Sequence, residues 1–130
     1  MYDIKDLDGN VIFPVKDRTL CFADLGGADL RRADLSYRDL THANLSRANL
    51  RGACLSHTNL RGANLTEADL AGAELDHACL ESAQVAGAVF TGADLAFVEV
   101  QYCDYSRAVD FDESSCVRRY RHRGSGFGIG

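Results

Sequence analysis

The sequence lacks the features of membrane-spanning chains. No apolar run approaches the roughly 18 residues that cross a bilayer, and the segment MYDIKDLDGN has no basic start followed by an apolar stretch. Proline occurs once and tryptophan not at all among the 130 residues. We therefore expect one soluble domain in the cytoplasm.

The cysteines show neither zinc-type nor redox spacing. No CxxC pair occurs, and the odd number leaves one residue without a partner. The five positions are Cys21, Cys54, Cys79, Cys103 and Cys116. Reduced thiols are expected, and the sequence predicts no cofactor and no metal requirement.

The chain also lacks the signals of a nucleic-acid binder and of an enzyme. Its net charge is -5, whereas nucleic-acid binders usually carry a basic face. Ser56 beside His57 is a chance adjacency, and no glycine-rich phosphate loop precedes a helix. We expect no catalysis and no direct contact with nucleic acid.

A period of five organises most of the chain. Every fifth residue from Leu20 to Asp110 forms a series of nineteen, of which fourteen are Leu. Ala stands two residues earlier in fourteen cases, and Asp or Asn one residue earlier in eleven. On a helix a step of five would spread these leucines around all sides, and on a strand it would alternate their faces. Only a backbone that turns once per five residues points every Leu inward, which predicts a solenoid.

Repeats such as ADLRRADL, ANLSRANL, ANLRGACL and ANLTEADL resemble the pentapeptide-repeat family over about residues 16–110. The resemblance implies an all-β, right-handed quadrilateral β-helix in which four pentapeptides form a coil of twenty residues, giving nearly five coils. The Asp or Asn before each Leu is suited to bond corner backbone. The predicted structural core contains nine leucines of the repeat: Leu25, Leu30, Leu35, Leu45, Leu50, Leu55, Leu65, Leu70 and Leu75.

Both ends depart from the repeat. Residues 1–15 read as an N-terminal cap hairpin turning at Asp8-Gly9-Asn10, and residues 111–130 as a C-terminal cap and basic flexible tail. A short helix within residues 112–123 would turn Val117 and Tyr120 inward. The alternative is a homodimer through the C-terminal coil, which the family resemblance favours. Either the dimer interface or the cap would use four aromatic residues: Phe97, Tyr102, Tyr105 and Phe111.

Residues twenty apart would stack about 4.8 Å apart in outward columns. One column contains Tyr37, His57, His77 and Phe97. It is either a binding or metal-holding stripe, with Cys54, Glu74 and Asp76 on the same side, or a set of rings that covers an exposed sheet.

Arginines form a second group with two interpretations. Arg31, Arg32 and Arg51 would hold a phosphate or an acidic partner, or would lie solvated beside nearby acids. Arg18 and Arg38 occupy Ala positions, as Cys103 does, and mark a cap junction or a recognition feature. Because a buried, unpaired guanidinium is costly, that corner must either open to solvent or supply carboxylates, for which Asp17 and Asp39 are the candidates.

These patterns favour a non-enzymatic rigid scaffold that binds an unknown protein. The alternative, from the family resemblance, is a DNA mimic that binds DNA gyrase or topoisomerase IV and inhibits it or protects it from quinolones. Its acidic surface would use Glu74, Asp76 and Asp94. About 24 Å of duplex carries roughly fourteen charges, whereas residues 16–110 have fourteen acids against nine bases. A metal or small-ligand site is the third hypothesis.

Overall fold

The chain winds into a β-helix with a twenty-residue register. A computed structural model of the protein describes residues 3–118. Parallel bridges join each residue at the middle of a side to the residue twenty positions on, as in Asp24 to Asn44 and Asn44 to Asn64. Each repeat Leu from Leu25 to Leu80 donates its N–H to a carbonyl of the next coil, with Leu50 reaching the Asp69 oxygen at 2.7 Å. Successive coils are thus stacked through their backbones.

Most sides of the coils are too short to form extended strands. The regular elements are β1 (Ile4–Asp6), β2 (Val11–Phe13), β3 (Ala33–Asp34) and a 3-10 helix (Glu113–Ser115). Elsewhere each side contributes a single bridge residue between two corners. Within residues 3–118, no helix is long and apolar enough to cross a bilayer.

The leucine and alanine positions fill the axis of the helix. All nine leucines of the predicted core are buried, with Leu25 at 2% exposure and Leu50 at 0%. Thr58 occupies an Ala position, and its buried hydroxyl donates to the Leu35 carbonyl at 2.7 Å. Cys103, in another Ala position, is 7% exposed, and burial raises the pKa of its thiol to about 11. All five cysteines are free thiols.

Each corner is a tight turn closed by the backbone. The N–H of the Ala position donates to the carbonyl of the preceding Leu position, as Ala53 does to Leu50 at 3.0 Å. The second corner residue has positive φ, for example 68° at Gly52 and 58° at His57. This conformation costs a non-glycine residue about 1–2 kcal/mol, so ladder and core must hold it in place.

The Asp and Asn residues before Leu stabilise the corners, as the sequence predicted. In all eleven, ten before a Leu and Asp104 before Tyr105, the side-chain oxygen accepts the backbone N–H two residues on. The pKa values of Asp39 and Asp104 are lowered because each also accepts a hydroxyl, from Thr41 and Ser106 respectively. Asn44 makes the same pair of bonds to Ser46 without a charge.

An antiparallel hairpin covers the N-terminal edge of the coils. Strands β1 and β2 pair through Ile4 with Phe13 and Lys5 with Val11, and β1 pairs with β3 antiparallel. The Asp6 carboxylate accepts the N–H groups of Asp8 and Asn10 inside the turn. Ile4 is completely buried, so the hairpin adds its own apolar side chain to the core.

The C-terminal segment differs from the predicted helix. Residues 112–118 form only the 3-10 helix Glu113–Ser115, after which Val117 bridges Glu99 in extended backbone. The bridge spans eighteen residues instead of twenty, so the last coil is two residues short. Val117 thus continues the ladder, and Tyr120 lies outside the described residues.

The four C-terminal aromatic residues do not form one surface. Phe111 stacks on Tyr105 at 4.6 Å and meets Phe90 edge to face at 4.9 Å. Tyr102 and Phe97 lie on corners, 76% and 57% exposed. Phe111 and Tyr105 therefore pack within the chain at its end. A homodimer there stays a prediction.

We expect Leu50→Asp to abolish the fold. The substitution places a carboxylate on the dry axis, which costs more than the about 2–5 kcal/mol of a Leu→Ala cavity. Loss of the far-ultraviolet circular dichroism signal and of cooperative thermal unfolding would report this.

Asn49→Asp is the matched control, because it adds the same charge one residue earlier. Asp29 and Asp69 occupy the equivalent position in the adjacent coils. A Leu50→Asp protein as stable as Asn49→Asp would contradict the inward placement of Leu50.

We expect the protein to lose stability in acid partly through Asp39 and Asp104. A carboxyl whose pKa is lowered by folding stabilises the folded state at any pH above its pKa in the unfolded chain. This contribution is lost as the pH falls through its pKa in the folded protein. The midpoint of thermal unfolding should therefore fall as the pH drops below about 4, the ordinary value for an Asp carboxyl.

The double variant Asp39→Asn/Asp104→Asn should show a smaller drop, because Asn keeps the corner bonds and does not titrate. Equal pH dependence of the variant and the unmodified protein would rule out a contribution from these two carboxyls.

Candidate functional site

Four rings stack in line on one corner of the β-helix. Tyr37, His57, His77 and Phe97, here called the ring column, have successive centroid distances of 4.7, 4.6 and 4.9 Å. The first two pairs are parallel within 5°. Tyr37 and Phe97 are 75% and 57% exposed. The column is therefore an ordered and solvent-facing aromatic stripe.

The corner geometry explains why these rings meet. Each occupies the second corner residue, with φ between 58° and 62°, so all four side chains leave the backbone in the same direction. The twenty-residue register then places each ring on the one before it. Stacked aromatic pairs across strands contribute roughly 0.2–1 kcal/mol each, which partly offsets the unfavourable φ.

Carboxylates lie beside the ring column on the C-terminal half of the molecule. Glu74 and Asp94, bridge partners on one side, and Asp76, in the corner that His77 completes, form what is here called the acidic flank. Asp76 accepts the Ser56 hydroxyl at 2.5 Å. Among residues 3–118, no ion pair involves any member of this flank. Its charge is thus not neutralised by a direct contact within that range.

The predicted arginine cluster is engaged with acids of its own. Arg31 contacts Asp29 at 2.7 Å, Arg32 contacts Asp8 at 2.9 Å, and Arg51 contacts Asp69 at 3.0 Å. Hydrogen bonds from Arg31 lower the pKa of Asp29 to about 2. These exposed pairs match the interpretation of a solvated face better than that of a phosphate site.

The two arginines in Ala positions are not buried. Arg18 is exposed and Arg38 is half-buried. Arg38 donates to the backbone carbonyl of Asp3 at 3.0 Å, which joins the coil to the residue preceding β1. The corner is therefore open, so the condition for needing carboxylates is not met; the Asp3 backbone is one acceptor for Arg38, and Asp39 binds Thr41.

One group in this region has the composition of a metal site. Ligand atoms of His57, Asp76 and His77 all lie within 4.8 Å of one another. Cys54 and Glu74, which the sequence placed on the same side, are not part of this group. The Ser56 hydroxyl donates to the Asp76 carboxylate. It therefore does not donate to the imidazole of the adjacent His57, as a serine activated by that histidine would.

Sequence reasoning missed a second, shorter ring pair. Phe22 and His42 stack at 5.0 Å on another corner, twenty residues apart. A Cβ at Gly62, the next position of that column, would lie 2.5 Å from the His42 ring. The same twenty-residue spacing that indicated the ring column was available as a signal here.

Comparisons with known proteins agree with this geometry. The family described as Pentapeptide repeats (8 copies) matches residues 19–52 and 43–81. Pentapeptide repeat protein Rfr23 from the cyanobacterium Cyanothece 51142 is 29% identical, with 74% of this chain and 60% of that one covered and a TM-score of 0.58. A pentapeptide repeat protein from Nostoc Pcc 7120 is 34% identical over 74% of this chain and 84% of that one, with a TM-score of 0.48.

A trypsin-treated variant of QnrB1, a plasmid-mediated fluoroquinolone resistance protein, is 24% identical, with 74% of this chain and 67% of that one covered and a TM-score of 0.44. None of the curated proteins matches the chain. The chain spans about 60% of the length of Rfr23. The period of five in the sequence is thus the pentapeptide repeat itself, and the chain belongs to the pentapeptide-repeat family.

Proposed function

We propose that this protein is a non-enzymatic scaffold of the cytoplasm that binds another protein through the ring column and the acidic flank. The observation that carries the proposal is the exposed stack of four rings beside carboxylates with no ion pair in the described chain. The proposal includes nearly five coils in residues 16–110 as the rigid support.

The ring column suits a partner because it is ordered before binding. Its ring edges form a straight line of about 14 Å at 4.8 Å per coil. The side chains are held by stacking and by a backbone ladder, so little conformational entropy remains to be lost on association. An aromatic stripe of this kind supplies the apolar centre that protein interfaces use.

The negative charge of the acidic flank indicates that the partner is basic. Six arginines in the described residues contact carboxylates, namely Arg31, Arg32, Arg47, Arg51, Arg61 and Arg118. Glu74, Asp76 and Asp94 have no such contact within the same range, so this side of the molecule remains negative. A partner with Lys or Arg residues bordering an apolar strip is complementary to it, and association should be salt-dependent.

Site-specific photocrosslinking tests the surface. A photoreactive amino acid placed at position 57 or 77 should give a discrete adduct in a lysate of the source cells. Glu74→Gln/Asp94→Asn should weaken the adduct, and so should added salt, because both reduce electrostatic attraction.

Position 47 is the matched control for this experiment. Arg47 is an exposed second corner residue with φ of 61°, half a coil away from the ring column. Adducts of equal yield from positions 47 and 57, or none from 57 and 77, would reject the proposed surface.

A DNA mimic that binds gyrase or topoisomerase IV is the second candidate. The segregation of the acidic flank from the paired arginines favours it, because a local negative face can attract a DNA-binding groove even when the whole chain is only at -5. The flank offers three carboxylates, far fewer than the roughly fourteen charges of duplex DNA over about 24 Å. The general scaffold is therefore the preferred proposal.

Supercoiling of relaxed plasmid by gyrase distinguishes the two. A mimic should inhibit the reaction with rising protein, more strongly at low than at moderate salt. The triple variant Glu74→Gln/Asp76→Asn/Asp94→Asn should relieve inhibition, whereas Glu67→Gln should not, since Glu67 pairs with Arg47. Absence of inhibition at both salt concentrations would reject a mimic that inhibits gyrase.

A further inference from the structure

We propose that His57, Asp76 and His77 bind one divalent transition-metal ion on the outer surface of the coil. Two imidazoles and one carboxylate are a common ligand set for such ions. Their ligand atoms already lie within 4.8 Å of one another. All three ligands come from this chain, so the site needs no protein partner. His57 and His77 belong to the ring column and Asp76 to the acidic flank, so the ion and the proposed partner would share this surface.

The neighbourhood of the three residues suits a cation. The Ser56 hydroxyl donates to the Asp76 carboxylate at 2.5 Å and so fixes the orientation of one ligand, as second-shell groups do around metals. Glu74 and Asp94 add negative charge on the adjoining side without contacting a described arginine. Such a face raises the local concentration of cations.

Binding requires the two histidine rings to turn. They are parallel within 5° at a centroid distance of 4.6 Å, and lone pairs in parallel ring planes do not converge on one ion. Metal–nitrogen bonds of about 2.0–2.1 Å in a tetrahedral site place the ligand atoms roughly 3.3 Å apart. The ligand atoms must therefore approach one another by up to about 1.5 Å, and the stack must open.

The structure makes this rotation inexpensive. His57 and His77 are exposed corner residues, and within residues 3–118 neither imidazole forms a hydrogen bond that would have to break. The opposing contribution is the ring stacking that is lost when the two imidazoles turn. Three protein ligands leave further coordination positions open to water.

Nickel titration of the untagged full chain tests the site. Ni²⁺ is the probe because it suits imidazole and avoids the preference of zinc for the chain's thiolates. Isothermal titration calorimetry should show one saturable ion per chain. His57→Asn and His77→Asn should each lower the affinity at least about tenfold, and Asp76→Asn should also weaken binding. Asn is used because it tolerates positive φ.

His42→Asn is the matched control, since His42 occupies an equivalent corner with φ of 59° but stacks on Phe22. Its affinity for Ni²⁺ should equal that of the unmodified protein. As a second readout, Ni²⁺ should raise the thermal unfolding midpoint of the unmodified protein and of His42→Asn, and at the same concentration should raise that of His57→Asn and His77→Asn by less.

Three outcomes would overturn the proposal. One is the absence of saturable binding, and another is an equal loss of affinity in His42→Asn. The third is binding that survives unchanged in both His57→Asn and His77→Asn, which would place the ion elsewhere on the chain.

Discussion

The structure depends on backbone hydrogen bonds between successive coils, which pair residues twenty positions apart. The Leu50 N–H donates to the carbonyl of Asp69 in the next coil. In the same way, the Leu30 N–H of the preceding coil donates to the carbonyl of Asn49. A β-ladder leaves no freedom in the relative position of its strands, because a slip of one residue would turn Leu outward. Corner shape, inward packing and surface pattern all follow from this register.

Because the ladder sets which residues are neighbours, surface side chains of this protein have fixed partners. A ring at position 57 meets whatever stands at 37 and 77, and an acid at 74 lies beside position 94. The rings and the acids were thus brought together by spacing in the sequence alone. Substitution at a corner changes a column while the Leu axis beneath it remains the same.

The sequence predicted the repeat region well for the same reason. Each of the nineteen five-residue units indicates the same local geometry. Buried leucines and corner acids such as Asp39 could therefore be assigned from the sequence alone. The ends do not repeat. The last coil is two residues shorter at Val117, and no repeating pattern in the sequence predicts this change of register. Arg38 donates to the backbone carbonyl of Asp3, an acceptor that every residue has and that the sequence therefore does not indicate.

The twenty-residue register also limits how the length of this chain can change. Inserting one pentapeptide between Tyr37 and Phe97 would keep every Leu inward but move all later residues round by one side of the square. The ring column would then be divided between two corners, with its stacking lost. Only the addition or removal of a whole twenty-residue coil keeps the rings on one corner. The ring column therefore requires length changes in multiples of twenty residues, whereas the repeat motif alone requires only multiples of five.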